Sequence, residues 1–121
     1  MVFLTNSMRA NYPKFSPDGK SILFIAHSNS TTQLFTMKID GTNKKQITNF
    51  EGDVQIITPA WSPDGKRISF SYSNSQGWMD IFIFDLASKE ISQITNSIEP
   101  DYNPIWVNNG KSLSFTGLYD L

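Results

Sequence analysis

The chain has 121 residues, 39% of them apolar and 13% aromatic, which suits one small domain with a modest core and excludes a disordered tail. Ten Lys and Arg against eleven Asp and Glu leave a net charge of −1, with no electrostatic footprint for nucleic acid. No apolar run reaches the ~18 residues of a membrane-spanning helix, the absence of cysteine excludes disulfide frameworks and thiol chemistry, and the single histidine, His27, excludes an in-chain site that needs two.

Met1-Val2-Phe3-Leu4 lacks the length and basic flank of a signal peptide. Strands are then expected at Tyr12–Ser16, Ser21–Ala26, Leu34–Ile39 and Lys45–Thr48, and again at Ala60–Ser62, Arg67–Tyr72, Asp80–Asp85 and Ile91–Thr95. Ile68, Phe70 and Tyr72 alternate with Ser69 and Ser71, the period-2 pattern of a strand. Ile22-Leu23-Phe24-Ile25 and Ile81-Phe82-Ile83-Phe84 are continuous apolar runs that suit strands buried on both faces. A third unit starts with strands around Pro104–Val107 and Ser112–Thr116, and a further strand begins in Gly117–Leu121.

These elements repeat. Pro13-Lys14-Phe15-Ser16-Pro17-Asp18-Gly19-Lys20 returns after 46 residues as Pro59-Ala60-Trp61-Ser62-Pro63-Asp64-Gly65-Lys66, and after 45 more as the weaker Pro104-Ile105-Trp106-Val107-Asn108-Asn109-Gly110-Lys111. Gln46-Ile47-Thr48-Asn49 returns as Gln93-Ile94-Thr95-Asn96, and Leu4-Thr5-Asn6 matches its tail one unit earlier. A period of ~45 residues fits a four-stranded propeller blade or a helical pair; the β-branched and aromatic runs, with no helical stripe, select the blade. In Ser-Pro-Asp-Gly, Pro17 and Pro63 preset φ, Asp18 and Asp64 tolerate the second central position, and Gly19 and Gly65 supply positive φ at the exit. This is a hairpin turn running into a bulge.

The Pro-x-Trp/Phe-Ser-Pro-Asp-Gly-Lys octad with its closing Gln-Ile-Thr resembles the WD40-like repeat of TolB-type proteins, the PD40 repeat. The resemblance implies an all-β propeller of four-stranded antiparallel blades. Here it would comprise the end of a preceding blade (1–6), blades at 11–49 and 58–96, and an incomplete blade at 103–121, about two and a half blades in all. Propellers close with ~4–8 blades, so the expectation is a partial propeller that needs more chain or self-association to close. The resemblance also implies a non-catalytic scaffold for protein–protein interaction, of the cell-envelope Tol–Pal type with Pal as a partner, in a periplasmic or secreted setting. The competing reading is the substrate-gating propeller of a prolyl-oligopeptidase-like serine hydrolase. A smaller third reading, a lyase with a channel metal, needs histidines not present in this sequence.

No catalytic, cofactor or metal constellation is expected. The sequence has no phosphate-binding glycine loop, Gly-x-Ser-x-Gly elbow or His-Glu-x-x-His, and His27 reads as a loop residue after the second strand. Phe15, Trp61 and Trp106 share one aligned position and are expected to pack between blades. Trp78 and Met79 read as a loop pair whose counterpart is the polar Thr31-Thr32-Gln33, which makes them the leading contact candidates. The inter-blade connectors, 49–58 and 96–103, carry Glu51 and Asp53, then Glu99 and Asp101, as further candidates for a protein contact. Nucleic-acid binding and membrane insertion are not expected.

Overall fold

The structure, a computed structural model, describes residues 10–28, 31–73, 76–96 and 101–117. Among the described residues ten strands form three antiparallel sheets. Strands β1 (Ala10–Phe15), β2 (Ser21–Ser28), β3 (Thr31–Lys38) and β4 (Lys45–Gln46) make the first, in sequence order. Strands β5 (Gln55–Trp61), β6 (Arg67–Ser73), β7 (Met79–Asp85) and β8 (Ile91–Gln93) make the second. Strands β9 (Asp101–Val107) and β10 (Ser112–Gly117) pair as the third. The preceding-blade segment 1–6 and the continuation after Gly117 lie outside the described residues.

Several boundaries differ from the sequence reading. His27, expected in a loop, is the seventh residue of β2 and pairs with Thr32. Thr31, Thr32 and Gln33 belong to β3. Strand β5 starts at Gln55, so the last part of the connector is already sheet. The outer strands are shorter than expected, and Thr48 and Thr95 fall beyond their ends.

Each inner strand carries the same bulge. Tyr12, Thr58 and Asn103 take φ of 55°, 51° and 57°, each immediately before a proline. Proline disfavours the right-handed helical region for the residue before it, and the left-handed turn interrupts pairing between Asn11 and Lys14 and between Ile57 and Ala60. The β-branched Thr58 adopts this geometry reluctantly; its hydroxyl lies 2.9 Å from that of Ser71 on β6.

The main core lies between the first two sheets. Leu23 and Ile25 of β2 and Leu34 of β3 meet Ile56, Ile68, Phe70 and Phe84, with Val54 of the connector added. The opposite face of β2 and β3 buries Ile22, Phe24, Ala26, Phe35 and Met37, with the Phe24 and Phe35 rings stacked at 5.4 Å. Strand β2 is therefore apolar on both faces because both are covered. On β6 the alternation has a different meaning: Ser69 and Ser71 are fully buried, on the side from which β9 contacts β6 and β7. Their small size, rather than polarity, lets the third sheet approach.

The Gln-Ile-Thr marker closes each four-stranded sheet. Thr48 Oγ1 accepts the Leu34 N–H at 2.9 Å and donates to Gln33 Oε1 at 2.6 Å. Gln33, 1% exposed, also accepts from the Phe50 N–H and donates to the Phe50 carbonyl. In the second sheet Thr95 Oγ1 accepts from the Ile81 N–H and donates to Asp80, which replaces Gln33. Gln46 and Gln93 donate to the carbonyls of Thr48 and Thr95. Replacing Gln33 with Ala leaves the buried Thr48 hydroxyl and the part-buried Phe50 N–H and carbonyl without their partner, and leaving a buried polar group unpaired costs about 1–3 kcal/mol before relaxation. Urea unfolding should show a loss of about 2 kcal/mol or more for Gln33→Ala, and under about 1 kcal/mol for the exposed Gln46→Ala.

Candidate functional site

The meander sorts its loops into two ends. The β1–β2, β3–β4, β5–β6, β7–β8 and β9–β10 turns lie at one, the turn end; the β2–β3 and β6–β7 hairpins and the inter-blade connectors lie at the other, the loop end.

At the turn end the Ser-Pro-Asp-Gly motif acts on its own backbone. Asp18 Oδ1 accepts from Ser16 Oγ at 2.6 Å and from the Lys20 N–H at 2.9 Å, and Asp64 does the same with Ser62 and Lys66. The serine hydroxyls in turn accept the Ser21 and Arg67 N–H groups. These bonds, led by the serine hydroxyl, hold both carboxyls below the usual aspartate range. Asp40 is lowered by Thr42, and Asp85 chiefly by the Ser88 N–H. Gly19 and Gly65 both stand at φ of 73°. In the third unit Asn108, Asn109 and Gly110 carry φ of 52°, 56° and 86°, so the turn survives without Pro-Asp. Gly110 also faces the second blade, where an added Cβ would lie 3.2 Å from Pro63 Cδ.

The aligned aromatics connect neighbouring sheets through a repeated bond. Trp61 Nε1–H donates to the Lys14 carbonyl at 3.0 Å, and Trp106 Nε1–H donates to the aligned Ala60 carbonyl at 3.3 Å. Arg67 stacks over the Trp106 ring at 4.7 Å and donates to the Gly110 carbonyl. Phe15 has no ring N–H to donate and is 70% exposed. A cleft of about 690 Å³ runs along the inner strands, lined by Tyr12, Phe15, Trp61, Ile105 and Trp106 among others.

At the loop end the contact candidates separate. Glu51 and Asp53 are exposed on the connector. Trp78 is 47% exposed just ahead of β7, and Met79, half-buried, is the first residue of that strand. Asp101 opens β9, and Glu99 lies outside the described residues. Trp78 and Met79 stand where the first sheet has Thr31 and Thr32. Those two threonines are committed to the connector: Thr31 Oγ1 donates to the Gly52 carbonyl at 2.7 Å, and Thr32 Oγ1 joins the Val54 carbonyl and the Ile56 N–H. Phe50 fixes the same connector by packing its ring 4.7 Å from Tyr72 and 6.2 Å from Phe70. Among the described residues no group of three His, Cys, Asp or Glu is placed to hold a metal ion. Nothing in a strand pattern marks Gln33 and Asp80 as buried polar hubs; their alignment opposite Gln-Ile-Thr is the one sequence signal that points to them.

The family model for the TolB β-propeller domain, PD40, matches residues 1–118. Dipeptidyl-peptidase 5 of Porphyromonas gingivalis is 38% identical over 86 residues, covering 66% of this chain and 12% of that protein. The Tol-Pal system protein TolB of Francisella tularensis subsp. holarctica is 34% identical over 86 residues, covering 69% of this chain and 19% of that protein. The crystal structure of TolB from Acinetobacter baumannii superposes with a TM-score of 0.80 at 25% identity, covering 94% of this chain and 28% of that one. The chain thus spans less than a fifth of the length of either curated relative.

The turn aspartates have a consequence for acid stability. Their folded pKa values lie below the unfolded value of about 4, so the stability they confer is complete above that pH and is lost as pH falls through the lowered values. The urea midpoint should hold from neutrality to about pH 5 and fall below about pH 4. Asp64→Asn should lower it at neutral pH and flatten the acid slope.

Proposed function

The chain belongs to the TolB β-propeller domain family, and from that premise we propose that it is a non-catalytic propeller module that holds a protein partner at its loop end. The observation that carries this reading is the exposed Trp78 beside Met79, at positions where the first blade commits Thr31 and Thr32 to its own connector. An aromatic anchor ringed by polar groups is the usual composition of a protein-binding hot spot. Glu51 and Asp53 stand at the same end, so the partner surface is apolar with basic flanks. In the finer form of the proposal the partner is an envelope protein of the Tol–Pal type, a Pal-like lipoprotein, and the setting is periplasmic. The similarity to a Tol-Pal system protein supports this form.

The second reading is favoured by the 38% identity to a dipeptidyl-peptidase. There the same blades would form the wall that restricts substrate access, with the nucleophile supplied by a separate domain. In both readings this stretch of chain provides shape and contact rather than reacting groups. The turn aspartates are held by their own backbones, and His27 pairs across a hairpin with Thr32.

Calorimetric titration with the soluble part of a Pal-like lipoprotein from the same organism tests the first reading. Binding is expected, weakened at least tenfold by Trp78→Ala with Met79→Ala, while the unfolding midpoint stays near that of the parent. A dipeptidyl nitroanilide should not be hydrolysed by the chain. Turnover abolished by His27→Ala would overturn the non-catalytic reading, and undiminished binding by the double variant would move the contact elsewhere.

A further inference from the structure

The octad ends in a lysine that the turn does not need. Ser, Pro, Asp and Gly each have a part in the hairpin, yet the third unit loses Ser-Pro-Asp and keeps Gly110-Lys111. Lys20, Lys66 and Lys111 are all exposed. Among the described residues their ammonium groups make no hydrogen bond or salt bridge. Asp18 and Asp64 are bonded by the backbone N–H of Lys20 and Lys66 and feel those side chains only through the field. Lys111 has an asparagine, Asn109, at the corresponding turn position.

These lysines are part of a wider charge division. Among the described residues, eight of the nine Lys and Arg fall at the turn end, against five of the nine carboxylates. Of those five, Asp18, Asp40, Asp64 and Asp85 fold back to accept hydrogen bonds from their own turns. The lysine stems are longer and reach past them. Neighbouring sheets pack about 10 Å apart, so equivalent lysines form a row with roughly that spacing, flanked by Lys38, Lys45 and Lys89 of the other turns. Ile39 and Ile91 stand exposed among them, at 50% and 40%. The groove between the first two blades at this end is lined by two lysines, Lys38 and Lys45, and two aspartates, Asp18 and Asp64, so it offers no net charge to select an acidic peptide. The excess positive charge lies on the tips.

We propose that the turn end is a docking face for an anionic lipid bilayer, on which the lysine row lies flat against the headgroups and Ile39 and Ile91 enter the interfacial layer without spanning it. Lipid headgroups supply an extended field of negative charge that lysines of successive blades at one end of the strands can meet together, and exposed apolar residues set among lysines add a contact that an acidic polypeptide does not reward. This face is opposite the loop end, so a partner there and a bilayer here can be engaged together.

Cosedimentation of the chain with phosphatidylglycerol-containing vesicles and with pure phosphatidylcholine vesicles tests the proposal. Binding is expected only to the anionic vesicles, and it should weaken steeply with added salt. Each lysine near an anionic surface is worth about fivefold in affinity, so the combined K20Q, K66Q and K111Q variant should lose roughly a hundredfold. The matching three arginine replacements should retain binding, and circular dichroism should show the same strand content in both. Absence of binding, equal binding to the neutral vesicles, or an undiminished glutamine variant would overturn the proposal. So would binding to poly-glutamate in place of vesicles, which would assign the face to an acidic polypeptide.

Discussion

A four-stranded meander with apolar residues on both faces cannot be stable as a single layer; each face needs another sheet. The rest of this structure depends on that constraint. Strand β2 presents Leu23 and Ile25 to one side and Ile22 and Phe24 to the other, and all four are buried. Burying a side chain of this size is worth about 1.5–3 kcal/mol relative to exposing it, so packing between sheets outweighs anything the short hairpins contribute alone. The small Ser69 and Ser71 follow from the same need, since sheets that radiate from an axis approach most closely at their inner strands. The left-handed residue before each inner-strand proline serves it too, by breaking the ladder where the strand must change course.

Packing alone leaves the sheets free to slide, and directional bonds remove that freedom. The indole N–H of Trp61 and of Trp106 each find the aligned carbonyl of the previous inner strand, at 3.0 and 3.3 Å. The two joints are then reinforced at different ends. The first is fixed at the loop end by Thr31, Thr32 and Phe50. The second is fixed at the turn end by Arg67, which bonds Gly110 and stacks on Trp106. The first blade has Ser21 in place of Arg67, and the second has Trp78 and Met79 in place of the two threonines. Equivalent positions therefore divide between stitching the next blade and standing at the surface, and Trp78, 47% exposed, is on the surface side of that division.

The sequence shows a repeat with this period because the repeat is a set of solved local problems. Pro-Asp-Gly is visible because a tight turn restricts φ, and Gln-Ile-Thr because the Leu34 and Ile81 N–H groups of the third strands need a fixed acceptor. The all-β fold and the family follow directly from those two markers. What could not be read locally were contacts between positions far apart in the chain. Gln33 looked like a loop residue because its partners, Thr48 and Phe50, lie 15 and 17 residues away. The alternation with Ser69 and Ser71 marks β6 as a strand, but alternation alone does not tell a polar surface from the close approach that buries both serines. Ser28-Asn29-Ser30 reads as a turn that leaves His27 in a loop, whereas the β2–β3 ladder continues to the Ser28–Thr31 pair. On the candidate site, the sequence identified exposed residues by mismatch between units, and the structure adds which end they occupy.

The two ends differ in the chemistry left over once the fold is satisfied. At the turn end Asp18, Asp40, Asp64 and Asp85 are engaged by their own turns, while the ammonium groups of Lys20, Lys66 and Lys111 make no hydrogen bond or ion pair among the described residues, so the residual character is cationic. At the loop end the threonines and the buried glutamine are engaged, and Glu51, Asp53 and Trp78 remain at the surface. A near-neutral chain can therefore present two faces of opposite character, because net charge sums over ends that never meet the same partner. The overall value of −1 excludes a uniformly basic surface, but it sets no limit on how charge is divided along the strand axis. That division comes from the register of the meander, which sends Lys20, Lys66 and Lys111 to one end and Glu51 and Asp53 to the other.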